Sequence, residues 1–157
     1  MTDKIHYSWQ ELQEDVSKIA QEILDSDWRP QEIIGILRGG AIPGIMLSHL
    51  LDIPFRPIQW STRDHIRQDV ASWKEVTTKA GRGEKFLLVD DIIDSGKTLS
   101  DMIKRGKGNT YMNWQDNLKI AVLWRNTAQP VSATFVGREI DKSVNNSWIV
   151  FPYEVDE

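Results

Sequence analysis

The segment that most constrains the fold is a short apolar run that leads directly into an acidic turn. Phe86-Leu87-Leu88-Val89 has the composition of a strand that is buried on both faces, as in a parallel sheet. Asp90 to Ser95 follows as a predicted turn, and from Gly96 onward apolar residues recur at helical spacing. The order strand, turn, helix predicts one building unit of an α/β sheet.

The same alternation of strands and helices recurs along the chain. Ser8-Trp9-Gln10-Glu11 fits a capping box and predicts the start of a first helix. Ile33 to Leu37 predicts a second buried strand, and a second helix is expected after it, entered near Pro43. Further strands are predicted from the apolar segments at 55–60, 118–124, 133–136 and 148–152. We therefore predict an α/β fold with a central, largely parallel sheet flanked by helices.

Length and composition indicate one globular domain over residues 1–157, with 40% hydrophobic and 27% charged residues. The net charge of −4 argues against a surface built for nucleic acid, so no nucleic-acid partner is expected. The absence of cysteine excludes disulfide frameworks and thiolate metal sites. No apolar run approaches the ~18 residues of a membrane span. Because the first ten residues are polar, we expect no signal peptide, no membrane partner and a cytoplasmic location.

The turn and the helix start after the 86–89 strand have the residues of a phosphate site. Ligands of parallel sheets bind at the carboxyl ends of strands, and this segment follows such an end. The backbone N–H groups and the dipole at a helix N-terminus favour an anion. Gly96 allows a phosphate to approach the backbone, and Ser95 and Thr98 can add hydroxyl donors. This half of the segment predicts a cradle for a monophosphate.

The three aspartates of the turn, Asp90, Asp91 and Asp94, call for a different ligand group. Carboxylates repel a phosphate unless a cation or a sugar lies between them. Mg²⁺ prefers carboxylates combined with substrate phosphates, and ribose hydroxyls donate hydrogen bonds to carboxylates. The segment therefore favours a ligand in which a sugar joins a phosphate to a metal-bound pyrophosphate.

Two other interpretations of this segment are weaker. Gly96-Lys97-Thr98 suggests a nucleotide-binding P-loop, but that pattern requires glycine five positions before the Gly-Lys pair, and position 91 is Asp. A solvated acidic turn that caps a helix would account for one aspartate, but not for three after a buried strand.

The segment from Leu87 to Leu99 closely resembles the motif with which type I phosphoribosyltransferases bind PRPP (5-phosphoribosyl 1-pyrophosphate). It is most similar to the hypoxanthine-guanine and xanthine-guanine branch. The resemblance implies the type I phosphoribosyltransferase fold, with a small C-terminal hood. It also implies a purine-salvage reaction in which a 6-oxopurine base displaces pyrophosphate from PRPP, with magnesium (Mg²⁺) as cofactor.

The resemblance also implies roles for individual residues. Asp90 and Asp91 would face the ribose hydroxyls and Mg²⁺, with Asp91 as the metal ligand. Asp94 would lie near N7 of the purine as the general base. The residues that would hold the 5′-phosphate are Asp94, Ser95, Gly96, Lys97 and Thr98.

Two further segments resemble the parts of this family that bind pyrophosphate. Leu37-Arg38-Gly39-Gly40 follows a predicted strand, and by itself it fits a tight turn equally well. The resemblance makes Arg38 and Gly39 pyrophosphate ligands and implies a cis peptide bond between Leu37 and Arg38. Residues 61–85 match a flexible loop over the active site, in which Arg63 would meet the pyrophosphate. The tyrosine that commonly follows Ser-Ser/Thr in this loop is Arg63 here.

The purine base would be held by the region 125–157, the predicted hood. Arg125 follows a predicted strand and stands where the family has a lysine that binds the 6-oxo group; without that context it is a surface charge. Trp148 would stack on the purine, and the backbone of Ile149 would contact the edge of the base. Trp148 could equally belong to the core. Residues 106–117 are an extra segment without an assigned role.

Two alternatives remain for the function. One is a phosphoribosyltransferase for another base, which the Trp148-Ile149 pair and the basic Arg125 disfavour for adenine. The other is a regulator of the same fold that binds PRPP or RNA without catalysis. The presence of Asp94 and the acidic net charge argue against this alternative. The family resemblance also implies a homodimer or homotetramer.

Overall fold

A computed structural model describes residues 2–62, 67–106 and 113–155 of the chain. It has a five-stranded parallel sheet and a separate two-stranded one. The strands are β1 (Lys4–His6), β2 (Glu32–Leu37), β3 (Phe55–Gln59), β4 (Phe86–Ile93), β5 (Leu118–Asn126), β6 (Phe135–Ile140) and β7 (Trp148–Val150). The helices are α1 (Trp9–Asp25), α2 (Ala41–Leu51), α3 (Val70–Gly81) and α4 (Lys97–Gly106), with a 3₁₀ turn at Trp114–Asn117.

The central sheet has the strand order β3-β2-β4-β5-β6, and all neighbouring strands are parallel. Side chains of a strand alternate between the two faces, so each strand contributes to two apolar layers. One layer packs α1 and α2 on residues such as Leu87 and Val89. The other packs α3 and α4 on residues such as Ile34 and Leu88. The predicted α/β class, with a parallel sheet flanked by helices, is confirmed.

The sheet order brings the carboxyl ends of β2 and β4 side by side, because these strands are direct neighbours. The turn after β2 and the turn after β4 therefore lie at the same edge of the sheet. These are the two segments from which the sequence predicted phosphate and pyrophosphate binding. Ligands of such sheets bind at this edge.

The first helix begins as predicted. The Ser8 side chain accepts a hydrogen bond from the Glu11 backbone N–H, and the Glu11 carboxylate accepts one from the Ser8 N–H. Leu12, Val16 and Ile19 form the buried face of α1. The capping box fixes where α1 starts, and the apolar stripe fixes which face it presents to the sheet.

The structure corrects the prediction that residues 61–85 form a flexible loop, because 70–81 are helix α3. The buried side chains of this helix include Trp73, Val76 and Ala80, which recur at helical spacing within a charged segment. The Asp69 carboxylate accepts a hydrogen bond from the Ser72 N–H and caps the helix. Lys74 and Glu75 lie on the exposed face of α3, and the charges of the segment obscured its apolar stripe.

Three smaller differences concern strands and the extra segment. The predicted turn from Asp90 instead continues β4 through Ile93, because these residues keep the parallel register with β5. The short strand β1 was not predicted; it pairs in parallel with β7 and joins the two ends of the described chain. Within 106–117, the described part ends α4 at Gly106 and places Trp114 in the core, 5.8 Å edge-on from Trp73.

Within the described ranges, no helix is both long enough and apolar enough to cross a membrane.

Candidate active site

Two adjacent carboxylates, Asp90 and Asp91, lie in the last part of β4. The Asp91 backbone N–H donates to Asp90 Oδ1 at 2.8 Å. The Tyr153 hydroxyl donates to Asp91 Oδ2 at 2.9 Å and lies 3.4 Å from the backbone oxygen of Gly39. The ring of Tyr153 stacks on Phe151, with centroids 5.5 Å apart. Tyr153 thus links one carboxylate to the turn that follows β2.

The surroundings of this pair make ionisation unfavourable. Burial and the neighbouring Asp91 raise the pKa of Asp90 well above its usual range. Burial also raises the pKa of Asp91, against the lowering effect of the hydrogen bond from Tyr153. Two partly buried neighbouring carboxylates are therefore a place where a bound cation or hydroxyl donors would relieve a large electrostatic cost.

The turn after β4 forms the wall of a cavity of about 340 Å³. That volume lies within the range of small-molecule sites. Gly96 has φ +79°, a backbone conformation that a side chain disfavours, and an added Cβ there would lie 2.7 Å from Val131 Cγ2. Ser95 Oγ accepts a hydrogen bond from the Lys97 N–H at 3.3 Å. The predicted phosphate residues that line the cavity together are Asp94, Ser95, Gly96, Lys97 and Thr98.

Helix α4 begins at Lys97, so its N-terminal N–H groups lie along this cavity. The helix is anchored from below, since Leu99 and Met102 are buried against the sheet. The arrangement is the one that favours an anion at a helix N-terminus.

A second cavity of about 270 Å³ adjoins the carboxylates and is lined by Arg38, Gly39 and Thr62 as well as Asp90 and Asp91. The peptide bond between Leu37 and Arg38 is cis, as the resemblance implied. An added Cβ at Gly39 would overlap the carboxylate of Asp91, so a side chain at this position would have to displace that carboxylate. The structure thus brings two of the predicted pyrophosphate residues to the acidic pair. The third, Arg63, lies outside the described residues.

The other end of the first cavity is lined by Trp148 and Ile149, both predicted to bind the base. Trp148 is 48% exposed, whereas Ile149 is buried. Pairing of β7 with β1 holds Trp148 opposite Lys4. An exposed indole ring in a cavity is suited to stacking on a flat ring, so Trp148 is available for a ligand and not part of the core.

Arg125 is the one described residue among the predicted ligands that does not line either cavity. Its Nε donates to the backbone oxygen of Val131 at 3.3 Å, and its Nη1 lies 3.7 Å from Glu139 Oε1. Arg125 and Glu139 are register partners on β5 and β6, so opposite charges face each other across the strands. This pairing holds the guanidinium away from the cavity.

A lysine that sequence reasoning did not single out lies there instead. Lys142 lines the cavity, and its Nζ lies 3.2 Å from Asp94 Oδ2. Three residues without a role assigned from the sequence line the cavity or hold the residues that do: Lys142, Asn126 and Tyr153. Asn126 was the one with a detectable signal, because it is a polar residue at the end of an apolar strand.

Comparison with known proteins gives consistent matches. A family model described as the phosphoribosyl transferase domain matches residues 7–157. A xanthine-guanine phosphoribosyltransferase of Desulfotalea psychrophila is 28% identical over 156 residues, which cover 95% of this chain and 85% of the relative. One of Idiomarina loihiensis is 28% identical over 151 residues, or 94% and 85%. The crystal structure of a purine phosphoribosyltransferase from Pyrococcus horikoshii Ot3 has a TM-score of 0.74 and 26% identity, covering 99% and 97%.

Proposed function

The chain belongs to the phosphoribosyl transferase domain family and is a transferase, and we propose that it acts in purine salvage. In the proposed reaction it joins a 6-oxopurine base to the ribose phosphate of PRPP and releases pyrophosphate. Similar proteins named xanthine-guanine and purine phosphoribosyltransferases support the choice of base. The observation that carries the proposal is the shared cavity. It is lined by two neighbouring, partly buried carboxylates, by the N-terminus of α4 and by an exposed indole ring.

PRPP has three parts, and the two cavities offer a surface for each. The 5′-phosphate binds at the start of α4, where the Ser95 and Thr98 hydroxyls and the backbone N–H groups donate to it. The ribose hydroxyls donate to Asp90 and Asp91. The pyrophosphate occupies the adjoining cavity, where Arg38 supplies positive charge and Gly39 allows close approach.

The donor set fits Mg²⁺ that is held jointly with the substrate. Asp90 and Asp91 give two carboxylates, and no cluster of three or more acidic or histidine side chains suited to a metal exists in the described ranges. Mg²⁺ is commonly bound by one or two carboxylates together with substrate phosphates, so the remaining ligands would be oxygens of PRPP and water. When bound, the ion would neutralise charge on the departing pyrophosphate.

The transfer itself breaks the bond between C1 of the ribose and the pyrophosphate oxygen and forms a bond from C1 to a purine nitrogen. Trp148 stacks on the purine, worth about 1–3 kcal/mol by analogy with base stacking on aromatic side chains. The backbone of Ile149 contacts the edge of the base. Asp94 accepts the proton that the base loses, as a general base. The protein thus acts by positioning and by electrostatics rather than by a covalent intermediate.

A cover over the reacting atoms would protect the developing positive charge on the ribose from water. The segment after β3 is held at both ends by Asp101 of α4. Its Oδ2 accepts from Trp60 Nε1 at 3.0 Å and from Gln68 Nε2 at 2.9 Å. Thr62 of this segment lines both cavities. We propose that Thr62 contributes to this cover, and that Arg63, which lies outside the described residues, is a further pyrophosphate ligand.

The test is a base panel. Purified protein with PRPP and Mg²⁺ is incubated with guanine, hypoxanthine, xanthine, adenine or uracil, and pyrophosphate and nucleotide are measured. We expect both products with at least one 6-oxopurine and much less with adenine or uracil. Failure to transfer to any purine at saturating PRPP would contradict the proposal.

A second test uses the variant Asp94→Asn, which keeps the shape of the side chain but removes the carboxylate. Loss of the proton acceptor should lower kcat by about 10²–10⁴-fold while leaving PRPP affinity in place. Turnover near the wild-type value would show that Asp94 is not the general base.

We also propose that the protein acts in the cytoplasm as a homodimer or homotetramer. Exposed apolar side chains on α2, Ile45 and Leu50, offer surface for self-association. Light scattering after size-exclusion chromatography measures the mass directly, and a mass of about 18 kDa would show a monomer instead.

A further inference from the structure

A largely buried lysine lies beside Asp94 in the part of the cavity that faces Trp148. The Lys142 side chain is 11% exposed, and its Nζ lies 3.2 Å from Asp94 Oδ2 and 5.7 Å from the centroid of the Trp148 ring. A lysine ammonium has three N–H groups and no acceptor. Among the described residues, Asp94 is its hydrogen-bond acceptor. Donor capacity therefore remains for a ligand atom in the cavity.

The position of this pair is fixed by Asn126 at the end of β5. Its Oδ1 accepts from the backbone N–H groups of Lys142 and Ala128, both at 3.1 Å, and its Nδ2 donates to the backbone oxygen of Asp94 at 3.2 Å. Asn126 is 3% exposed. One buried amide thus ties the loop that carries Lys142 to the turn that carries Asp94. The ammonium and the carboxylate are held in place before a ligand arrives.

We propose that Lys142 and Asp94 together bind one edge of the purine, so that Lys142 is the residue that selects a 6-oxo group. This inference rests on the proposed function. In the 7H tautomer of a 6-oxopurine, the acceptor O6 and the donor N7–H are neighbours on one edge of the ring. The donor Lys142 and the acceptor Asp94 are also neighbours, and both line the cavity that contains Trp148, with Lys142 Nζ over the indole ring at 5.7 Å from its centroid. Lys142 donates to O6, and Asp94 accepts from N7–H.

This pairing discriminates hypoxanthine from adenine. Adenine carries an amino group, a hydrogen-bond donor, where hypoxanthine carries O6. Against that amino group the remaining N–H groups of Lys142 find no acceptor, and donors that are left unpaired in a largely buried place are costly. A site built to pair with one polar group rejects analogues that lack it far more strongly than it rejects a change in size.

The competing assignment is Arg125, the basic residue that the sequence pointed to. Its guanidinium faces Glu139 and the Val131 backbone and lies outside the cavity. Lys142 has the complementary arrangement, because it lies against Asp94 and beside Trp148. The two residues therefore make opposite predictions about which substitution changes base selection.

The experiment compares Lys142→Met, Lys142→Gln and Arg125→Met with wild type and with Lys104→Met, which removes an exposed lysine from α4. Melting curves first establish that each variant folds. The quantity measured is kcat/KM for hypoxanthine divided by kcat/KM for adenine. Binding of IMP and AMP, by calorimetry without PRPP, gives a second ratio that does not depend on turnover.

We expect Lys142→Met to lower the hypoxanthine-to-adenine ratio by roughly 100-fold, mainly because kcat/KM for hypoxanthine falls. Lys142→Gln should lower it as well, because an amide can both donate to O6 and accept from an amino group. The IMP-to-AMP binding ratio should fall in both variants. Lys104→Met and Arg125→Met should keep the ratios of the wild type.

An unchanged ratio in the Lys142 variants would overturn the inference. If both bases lost activity equally, the contact with Asp94 would be purely structural, and if neither lost activity, Lys142 would have no role in selection. A fall in the ratio in Arg125→Met alone would return the role to Arg125. If wild type transferred to no base, the proposed function would fail, whereas the nucleotide-binding ratios would still decide whether Lys142 selects the 6-oxo group.

Discussion

At the scale of the residue, the acidic pair is arranged for a ligand and not for the stability of the free protein. Asp90 and Asp91 are adjacent in β4, and burial raises the pKa of both carboxyls. Within the pair, the hydrogen bonds that favour the ionised form come from the Tyr153 hydroxyl and from backbone N–H groups. Sites that hold charge for function commonly lower the stability of the unliganded protein.

A stability prediction follows from the sign of this shift. A carboxyl whose pKa is raised on folding stabilises the folded protein at low pH, and this contribution is lost as the pH rises through the folded-state pKa. Asp90→Asn removes the charge and keeps an oxygen for the Asp91 N–H. Without Mg²⁺ and near pH 8, it should raise the free energy of unfolding by about 1–3 kcal/mol.

The measurement is denaturant unfolding of wild type and Asp90→Asn, with a chelator present, from pH 5 to pH 8. The advantage of the variant should shrink toward the acidic end, because the raised pKa of Asp90 favours the protonated wild-type carboxyl as the pH falls. A variant that is less stable than wild type at pH 8, or an advantage that is independent of pH, would contradict this account of the pair.

At the scale of the element, the start of α4 is what turns a strand end into a phosphate site. Gly96 adopts φ +79° directly before the helix, and Leu99 and Met102 fix the helix on the sheet. Asn126 connects this turn to the loop before β7. The elements that bind phosphate and base are therefore held by buried contacts and not by the ligand alone.

Gly96→Ala tests this element. The added Cβ would lie 2.7 Å from Val131 Cγ2 in a backbone conformation that alanine disfavours. We expect a loss of stability of about 1–3 kcal/mol and at least tenfold weaker PRPP binding, because the N–H groups of the turn are displaced.

The matched control is Gly83→Ala. Gly83 has φ +102°, but an added Cβ there meets no atom within 4 Å. This substitution should cost stability through the backbone alone and leave PRPP affinity intact. If both variants bound PRPP as wild type does, the turn at Gly96 would not be part of the phosphate site.

The elements that the sequence revealed are those with a strong local pattern. The capping box at Ser8 and the apolar run at 86–89 are contiguous signals, and so is the acidic motif that leads into α4. Helix α3 was missed because its apolar residues are spread through a charged segment, and β1 because three residues carry no periodicity. Asn126 carried the signal of a polar residue at the end of an apolar strand, but its role and that of Lys142 depend on how β5 and the following loops pack beside Asp94.

At the scale of the whole molecule, the order of strands makes one binding edge from distant parts of the chain. β2 and β4 are neighbours at the centre of the sheet, so the 38–40 turn meets the 90–98 segment. β7, the last strand, pairs with β1, and its first residue, Trp148, lines the cavity. A ligand that contacts the 38–40 turn, the 90–98 segment and β7 at once should stabilise all three together.

The most direct test of this account is calorimetric titration of PRPP into the protein, with excess Mg²⁺ and again with a chelator. We predict saturable binding of one PRPP per chain with Mg²⁺ and at least tenfold weaker binding without it. Bound PRPP at 100 times its Kd should also stabilise the fold by about 2.7 kcal/mol. Absence of PRPP binding in the presence of Mg²⁺ would contradict the account.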